Sequence, residues 1–304
     1  MISLMEVSRW YGMVLGLNRV SLDLESGVTG LLGVNGAGKS TLLNICAGLL
    51  LPSTGSVTLG GKSIFANPEA LRLLGYCPSV DHFYEEMTGL DFVAYLARLS
   101  GYSQDEAMER AVRTCREVSL VEEAHYRMCR MSKGMRQKVK IAQALVHDPD
   151  VVLLDEPLNG MDPRSRVQTI ELIRKLGEAG KHILVSSHVL HEVEAMTSRI
   201  LLLDRGRILA SGEVLEVREA IHSRPLRIFL RCADARLMGA ELSAWPCVLS
   251  VSFSPDGRGI TLEVSEAGRF YRDLTALLSK RDLGIEIINP LDDNLAAVFE
   301  YLVK

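Results

Sequence analysis

Gly33–Thr41 reads GVNGAGKST, and the predicted fold class follows from this glycine-rich segment. It matches the phosphate-binding template in which a second glycine is followed directly by lysine and a hydroxyl residue. An apolar run ending at Leu32 precedes it, and Leu42, Leu43 and Ile45 follow it at helical spacing. Glycines at such a strand-to-helix turn let successive backbone amides close around an anion. The stretch therefore predicts an α/β fold with a phosphate-binding loop.

The template gives each polar side chain of this loop a role. Lys39 is predicted to place a positive charge on the β- and γ-phosphates of a nucleotide, and the Ser40 hydroxyl to be a ligand of Mg²⁺. Thr41 is predicted to add hydrogen bonds to phosphate. The other nucleotide-binding positions supply backbone amides and leave space for the phosphates. They are Gly33, Asn35, Gly36, Ala37 and Gly38. The loop thus predicts a bound nucleotide with Mg²⁺.

A second motif places two acids at the end of a strand. Val151–Pro157 reads VVLLDEP, in which four apolar residues are followed by Asp155 and Glu156. Open α/β sheets bind ligands at the carboxyl ends of their strands. An acidic pair after a strand is usually an ordinary surface pair, but downstream of a phosphate loop it indicates a functional site. We predict that Asp155 holds Mg²⁺, through water, and that Glu156 polarises the attacking water.

A third motif lies between the first two and makes the pattern specific. Met131–Met135 reads MSKGM, immediately before a helical KVKIAQAL run. This segment resembles the LSGGQ signature of ABC ATPases: Ser132 and Gly134 match its serine and second glycine, whereas Lys133 and Met135 depart from it. The chain thus resembles the nucleotide-binding subunits of ABC transporters, which implies ATP and Mg²⁺ as its cofactors. The stretches MSKGMRQKVKIAQAL and SSHVLHEVEA are most similar to the ABC-2 type export subgroup.

The resemblance implies roles for four more residues. Tyr11, within RWYG, matches the aromatic residue that stacks on adenine, and Asp162 ends the NGMD segment that matches the D-loop. His188 matches the switch histidine that touches the γ-phosphate, and it joins Glu156 and Lys39 as a predicted catalytic residue. Ser79 stands where the family has a glutamine that contacts the metal. Its side chain is shorter, so a water is expected to take the place of the glutamine oxygen at Mg²⁺, bridged or not by Ser79.

The resemblance also implies the architecture. The fold class is an α/β P-loop NTPase of the ABC ATPase type, with a RecA-like parallel core, an N-terminal antiparallel β subdomain and an inserted helical subdomain. We expect this ATPase domain over residues 1–215, with its helical insertion at about 85–147. A connector is predicted over 216–224, and a small α+β accessory domain of ferredoxin-like, split βαβ order over 225–304. Its last helix is predicted at Asp292–Lys304.

Hydrophobic periodicity adds local predictions. Two apolar runs in Val20–Leu32 flank Ser26 and Gly27 and predict a hairpin. Strands at Val151–Leu154 and Ile183–Ser186, separated by a helix, predict a parallel pair. Phe92, Tyr95, Leu96 and Leu99 are predicted to share one face of a helix in the insertion. Cys77 is predicted to be a small buried filler.

Composition bears on partners and location. The 304-residue chain has a net charge of -4, which provides no broad basic field for a nucleic acid. Its longest charge-free stretch, Ser40–Gly61, is interrupted by glycines and a proline, so it predicts no membrane span. Six cysteines without metal-ligand spacing favour a reducing, cytosolic setting. If the protein serves a membrane, the spanning helices must belong to another polypeptide.

The predicted function is ATP hydrolysis that powers a separate ABC-2 type permease at the inner face of the cell membrane. Because one chain carries one phosphate loop and one signature, the resemblance implies a homodimer or a heterodimer of ATPase subunits. Two other classes compete: an ABC ATPase acting on ribosomes or DNA, and an unrelated phosphate-loop kinase or GTPase. The first usually carries paired ATPase domains or a long coiled coil, and the signature and His188 argue against the second.

Overall fold

The computed structural model describes residues 1–213, 225–278 and 284–290. The chain divides into two compact units, Met1–Glu213 and Val214–Lys304. The predicted connector and the predicted last helix lie outside the described residues. The domain limits named above therefore stay predictions.

The first unit combines two sheets with seven α-helices. Its strands are β1 (Ile2–Tyr11), β2 (Val14–Leu24), β3 (Gly27–Leu32), β4 (Thr54–Leu59), β5 (Lys62–Ser63), β6 (Leu74–Cys77), β7 (Val151–Asp155), β8 (His182–Ser187), β9 (Arg199–Asp204) and β10 (Arg207–Glu213). Its helices are α1 (Lys39–Cys46), α2 (Pro68–Leu71), α3 (Gly89–Leu99), α4 (Gln104–Glu117), α5 (Lys133–Leu145), α6 (Pro163–Glu178) and α7 (Leu190–Glu194).

The larger sheet of this unit positions the functional motifs. Its order is β10-β9-β3-β8-β7-β6, with parallel pairing from β9 to β6 and an antiparallel β10 at one edge. The predicted parallel pair, β7 and β8, is confirmed. Every residue of β7 is buried, because helices cover both faces of such a sheet. The carboxyl ends of β3, β7 and β8 therefore lie side by side, and the predicted phosphate loop, acidic pair and histidine follow them directly.

The predicted hairpin over Val20–Leu32 is wrong. Strand β2 pairs with β1 in a separate sheet of order β2-β1-β4-β5, whereas β3 pairs with β8 and β9. The chain leaves one sheet after Leu24 and enters the other at Gly27. Arg199 anchors this crossing, since its guanidinium binds Glu25 and the carbonyl of Ser26. Two neighbouring apolar runs predict two strands but do not indicate whether the strands share a sheet.

Helices α3, α4 and α5 form the predicted helical insertion region around one apolar core. The predicted shared face of α3 is only partly buried. Phe92 is 4% exposed, but Tyr95 and Leu99 are 37% and 67% exposed, and Val93 and Ala97 are fully buried in their place. The true face follows the spacing of Phe92, Val93 and Ala97, because this side of α3 faces α4 and α5. None of the helices in the described residues combines the length and apolar character of a membrane span.

The second unit contains a four-stranded antiparallel sheet of order β12-β13-β11-β14. Its strands are β11 (Leu226–Cys232), β12 (Val248–Phe253), β13 (Gly259–Val264) and β14 (Ile285–Pro290). Helices Ala235–Ser243 and Ala267–Leu278 separate the first two and the last two strands. The resulting β-α-β-β-α-β order is that of a ferredoxin-like unit. Its core includes Ile228, Leu230, Leu262 and Phe270.

Candidate nucleotide site

The glycine-rich loop connects β3 to α1, and two of its glycines occupy positions where a larger residue would clash or would be strained. A Cβ atom on Gly33 would lie 2.6 Å from the carbonyl oxygen of Leu203, so the loop passes close to β9. Gly38 caps the start of α1 with φ 108°, a left-handed conformation that glycine adopts without strain. The first backbone amides of α1 have no partner within the helix, so they are free to bind an anion at this end.

Lys39 lies buried at the centre of this loop, with an exposed fraction of 6%. Its ammonium donates to the carbonyl oxygen of Gly33 at 2.7 Å and lies 3.4 Å from Glu156 Oε1. A buried ammonium needs acceptors or opposite charge around it, and both are present here. The loop therefore holds a positive charge beside its own backbone amides, which is the arrangement that a phosphate group requires.

Asp155 ends β7 with a carboxylate that no solvent reaches. Its Oδ1 accepts a hydrogen bond from Ser186 Oγ at 2.7 Å, whereas Oδ2 is buried and has no hydrogen-bond partner among the described residues. A buried carboxylate oxygen without a partner is costly, and a divalent cation or a water bound to one would satisfy it. The side chains present thus fit a magnesium site at the end of β7, with the Ser40 hydroxyl exposed at the start of α1.

Glu156 is held in a strained conformation between two partners. Its φ of 49° lies in the left-handed region, which costs a non-glycine residue of the order of 1–3 kcal/mol. The backbone N–H of Glu156 donates to Ser186 Oγ at 2.9 Å, and Glu156 Oε2 lies 2.9 Å from His188 Nδ1. With Lys39 on its other oxygen, this carboxylate joins the glycine-rich loop to the end of β8. The structure therefore brings together the three residues predicted to be catalytic.

Ser186 is a residue of the site that was not predicted from the sequence. Its hydroxyl fixes Asp155 and the backbone of Glu156 at the same time, so it sets the direction of both acids. Ser186 is fully buried, and a buried hydroxyl has to find partners. The signal was present in the SSH sequence at the end of an apolar strand, two residues before His188.

Tyr11 ends β1 beside the glycine-rich loop. Its hydroxyl lies 3.4 Å from Thr41 Oγ1, and its ring packs over Gly16, where a Cβ atom would lie 2.8 Å from it. The guanidinium of Arg9 lies 5.1 Å from the ring centroid. Tyr11 is 45% exposed, so part of its side chain is accessible beside the loop. The position of Tyr11 is compatible with the predicted stacking on adenine.

Three predicted nucleotide-binding residues lie elsewhere. Ser132 caps α5 by accepting from the backbone N–H of Met135, and Asp162 caps α6 in the same way through Ser165. The Ser165 hydroxyl also donates to Asp162, and it lowers the pKa of this carboxyl. A Cβ atom on Gly134 would lie 3.3 Å from the carbonyl oxygen of Gly160, so the signature segment rests on the loop before Asp162. In residues 1–213, no hydrogen bond or ion pair joins Ser132, Gly134 or Asp162 to the glycine-rich loop.

Ser79 follows β6 and is exposed. Its carbonyl oxygen accepts from Lys140 Nζ at 3.2 Å, and Lys140 is paired with Asp81 at 2.8 Å. Within the described residues the Ser79 hydroxyl has no hydrogen bond, so its predicted contact with the metal stays a prediction. Cys77 is fully buried, and burial raises the pKa of its thiol to about 12, as expected of the predicted filler.

Residues 17–159 match the family model described as ABC transporter. DrrA of Streptomyces peucetius, a daunorubicin/doxorubicin resistance ATP-binding protein, is 31% identical over 294 residues, which cover 95% of this chain and 88% of that protein. NatA of Bacillus subtilis, an ABC transporter ATP-binding protein, is 36% identical over 74% of this chain and 95% of its own length. The chain belongs to the family of ABC transporter ATP-binding proteins. It is an ABC ATPase with a P-loop NTPase fold.

Solved structures of ABC transporter cassettes have the same fold as this ABC ATPase. The dimeric structure of a bacterial ABC transporter cassette is 26% identical and matches with a TM-score of 0.66, covering 70% of this chain and 99% of that one. A structure of that cassette with bound ADP and Pi also has a TM-score of 0.66. An uncharacterized ABC transporter ATP-binding protein of Synechocystis sp. is 41% identical, but its match covers 66% of this chain and 57% of the relative.

Proposed function

We propose that this ABC ATPase hydrolyses ATP to power transport through a separate ABC-2 type permease, with each ATP site completed across a dimer of ATPase subunits. The observation that supports hydrolysis is the carboxylate of Glu156, held between Lys39 at 3.4 Å and His188 at 2.9 Å. A carboxylate in this position is directed at the place where a phosphate bound by Lys39 would meet water.

The glycine-rich loop is the proposed binding site for the phosphates. Backbone amides from Gly33 to Thr41 and the Lys39 ammonium would hold them, while Tyr11 would stack on the adenine. Ser40 and Asp155 would hold Mg²⁺, and Ser79 would contribute at most through a water. When bound, the metal ion neutralises the charge that develops on the β- and γ-phosphates.

The chemistry proposed for the protein is general base catalysis. Glu156 accepts a hydrogen bond from the attacking water and polarises it, a role that contributes roughly 100- to 10,000-fold in rate. Ser186 fixes the backbone of Glu156, and His188 fixes its side chain, so the carboxylate has little freedom to turn away. Lys39 leaves Glu156 for the phosphate when ATP binds, which frees one carboxylate oxygen for the water.

The dimer is proposed because the predicted site is divided. Ser132, Gly134 and Asp162 lie at a second locus around the 159–161 loop and not at the loop of Lys39. In a dimer they would face the nucleotide held by the other subunit. A relative of this ABC ATPase was solved as a dimer, which supports the same arrangement here.

The choice of an ABC-2 type permease rests on the relatives. DrrA is a drug-resistance ATP-binding protein, and LnrL of Bacillus subtilis is a linearmycin resistance ATP-binding protein that is 33% identical over 68% of this chain. Resistance of this kind favours export. We therefore place the protein in the cytoplasm, on the inner face of the membrane through its permease, with no nucleic-acid partner in view of the net charge of -4. Residues 1–215 would form the ATPase domain and 225–304 an accessory domain.

The proposal predicts that a neighbouring gene encodes a multi-helix membrane protein, and co-expression with that protein tests it. We expect the two to copurify in detergent and the ATPase rate per chain to rise severalfold in the complex. Sedimentation with ribosomes and binding to duplex DNA serve as parallel assays for the competing class. Copurification with ribosomes, or stimulation by DNA and not by the membrane protein, would contradict the proposed function.

Ser79 makes a separate prediction about dependence on the permease. Because its hydroxyl has less reach than a glutamine amide, we expect hydrolysis to depend more on the permease to order the loop after β6. Ser79→Gln should lower the ratio of ATPase rates measured with and without the membrane subunit. Ser79→Ala is the matched control, with a ratio at or above that of the parent. Equal ratios for all three proteins would leave Ser79 as an ordinary loop residue.

A further inference from the structure

The loop before Asp162 and the turn that carries His188 are joined by a network that the proposed mechanism does not use. Arg166 lies one helical turn after Asp162, near the start of α6, and its side chain turns back along the helix. Arg166 Nε donates to the carbonyl oxygen of Met161 at 3.1 Å. Its Nη1 donates to Glu192 Oε1 at 2.9 Å, across 26 residues of sequence. One guanidinium thus binds both elements.

Glu192 is the centre of this network. It lies on α7 with an exposed fraction of 8%, and its second oxygen accepts from Ser187 Oγ at 3.1 Å. The same hydroxyl accepts from the backbone N–H of Val189 at 3.0 Å. These two hydrogen bonds fix the residues on both sides of His188, whose ring contacts Glu156. Glu192 therefore fixes the direction of the imidazole indirectly, through the hydroxyl of Ser187.

The charges explain why the network needs arginine. A buried carboxylate is costly unless a cation and hydrogen bonds accompany it, and Arg166 is the cation that contacts Glu192 within residues 1–213. A guanidinium presents several donors in a fixed plane, so it can serve a carbonyl oxygen and a carboxylate together. A lysine ammonium is a point charge on a flexible stem and would serve one of them at a time.

We propose that Arg166 and Glu192 are positioning residues for ATP hydrolysis, which hold the His188 turn against the 159–162 loop so that His188 keeps its contact with Glu156. This inference rests on the roles proposed above for His188 and Glu156. Without Arg166, Glu192 turns toward water and releases Ser187. The imidazole then loses its fixed direction although no residue of the glycine-rich loop has changed.

Arg166→Met in the full chain tests the proposal, since methionine keeps much of the length and removes the charge. We expect kcat to fall about tenfold or more, because small misplacements of catalytic groups are costly, while the Kd for ATP changes less than about twofold. In a His188→Ala background the same substitution should change kcat less than about twofold, because residues that act as one unit are not additive. Arg164→Met is the matched control on the same turn of α6 and should leave both constants unchanged.

A second variant and a spectroscopic signal keep the test decisive. Arg166→Lys should lie between the parent and Arg166→Met, and Glu192→Gln replaces Arg166→Met if that variant does not fold. The NMR signal of the His188 imidazole should shift in Arg166→Met and stay in place in Arg164→Met. An unchanged kcat, or an equal loss in the parent and the His188→Ala backgrounds, overturns the proposal. If His188→Ala alone leaves the rate unchanged, the proposed role of His188 fails, and the imidazole signal decides: a shift supports the positioning and an unshifted signal overturns it.

Discussion

Glu156→Gln is expected to stop most ATP hydrolysis while ATP binding persists, so that an ATP-bound dimer accumulates. The amide has nearly the same size as the carboxylate, and one oxygen remains to contact Lys39 or His188. What disappears is the negative charge that polarises the water, so we expect kcat to fall about 100- to 10,000-fold. Phosphate release measures the rate, and size-exclusion chromatography with ATP and Mg²⁺ measures the doubling of apparent mass.

Glu171→Gln is the matched control for this prediction. Glu171 is an exposed residue of α6, so its replacement removes one negative charge without touching the site. Hydrolysis and mass should then match the parent. A Glu156→Gln protein that hydrolyses ATP at the parental rate would show that another group activates the water. Retained hydrolysis counts more heavily than a missing dimer, because the membrane subunit can be required for stable association.

The parts of the fold that can be predicted from the sequence are those whose structure follows from a single continuous segment. β7 begins with four apolar residues in a row and lacks the alternation of a half-exposed strand. Such a run is typical of a strand that is buried on both faces of a parallel sheet. The glycine-rich loop between β3 and α1 follows equally from local chemistry, since Gly33 and Gly38 are required by close approach and by a left-handed φ. These features need no information about distant residues.

Features that depend on distant partners were missed or mispredicted. The run that includes Val20 is a good strand, but its partner is β1 and not β3. Ser186 looks like an ordinary polar residue until its hydroxyl meets Asp155, 31 residues away in sequence. The pairing of Arg166 with Glu192 is likewise invisible in a helix that also carries charged residues such as Arg164, Glu171 and Arg174 at exposed positions. Tertiary contacts of this kind leave no periodic signal along the chain.

The site itself divides in the same way. Lys39, Glu156 and His188 follow three adjacent strands of one parallel sheet, so strand order alone brings them to one edge. Ser132 and Gly134 belong to a different part of the unit, and the residues around them do not reach the glycine-rich loop. Their proposed role requires a second subunit, which a single sequence does not describe. The resemblance to ABC ATPases supplies that role as a proposal, and dimer formation by the Glu156→Gln protein tests it.

Lys39→Ala is expected to weaken ATP binding and to abolish measurable turnover. The ammonium is the buried positive charge of the glycine-rich loop, donating to Gly33 at 2.7 Å and lying 3.4 Å from Glu156. Hydrogen bonds to charged groups contribute about 1.5–3 kcal/mol, so we expect the Kd for ATP to rise about 10- to 100-fold. The same change leaves Glu156 without its cation and next to an incoming phosphate, which adds repulsion. Calorimetric titration with ATP measures the affinity.

Two further substitutions separate the loss of charge from the loss of volume at Lys39. Lys39→Met fills the buried space without the charge, so it should bind ATP as weakly as Lys39→Ala if the ammonium is what matters. Lys62→Ala removes an exposed lysine whose ion pair with Glu69 lies at the surface, and it should bind and hydrolyse ATP like the parent. If Lys39→Met binds ATP with parental affinity, the phosphates are held by the backbone amides alone. If Lys39→Ala also hydrolyses ATP at the parental rate, the nucleotide site lies elsewhere in the chain, because the Lys39 ammonium would then contribute neither to ATP binding nor to hydrolysis.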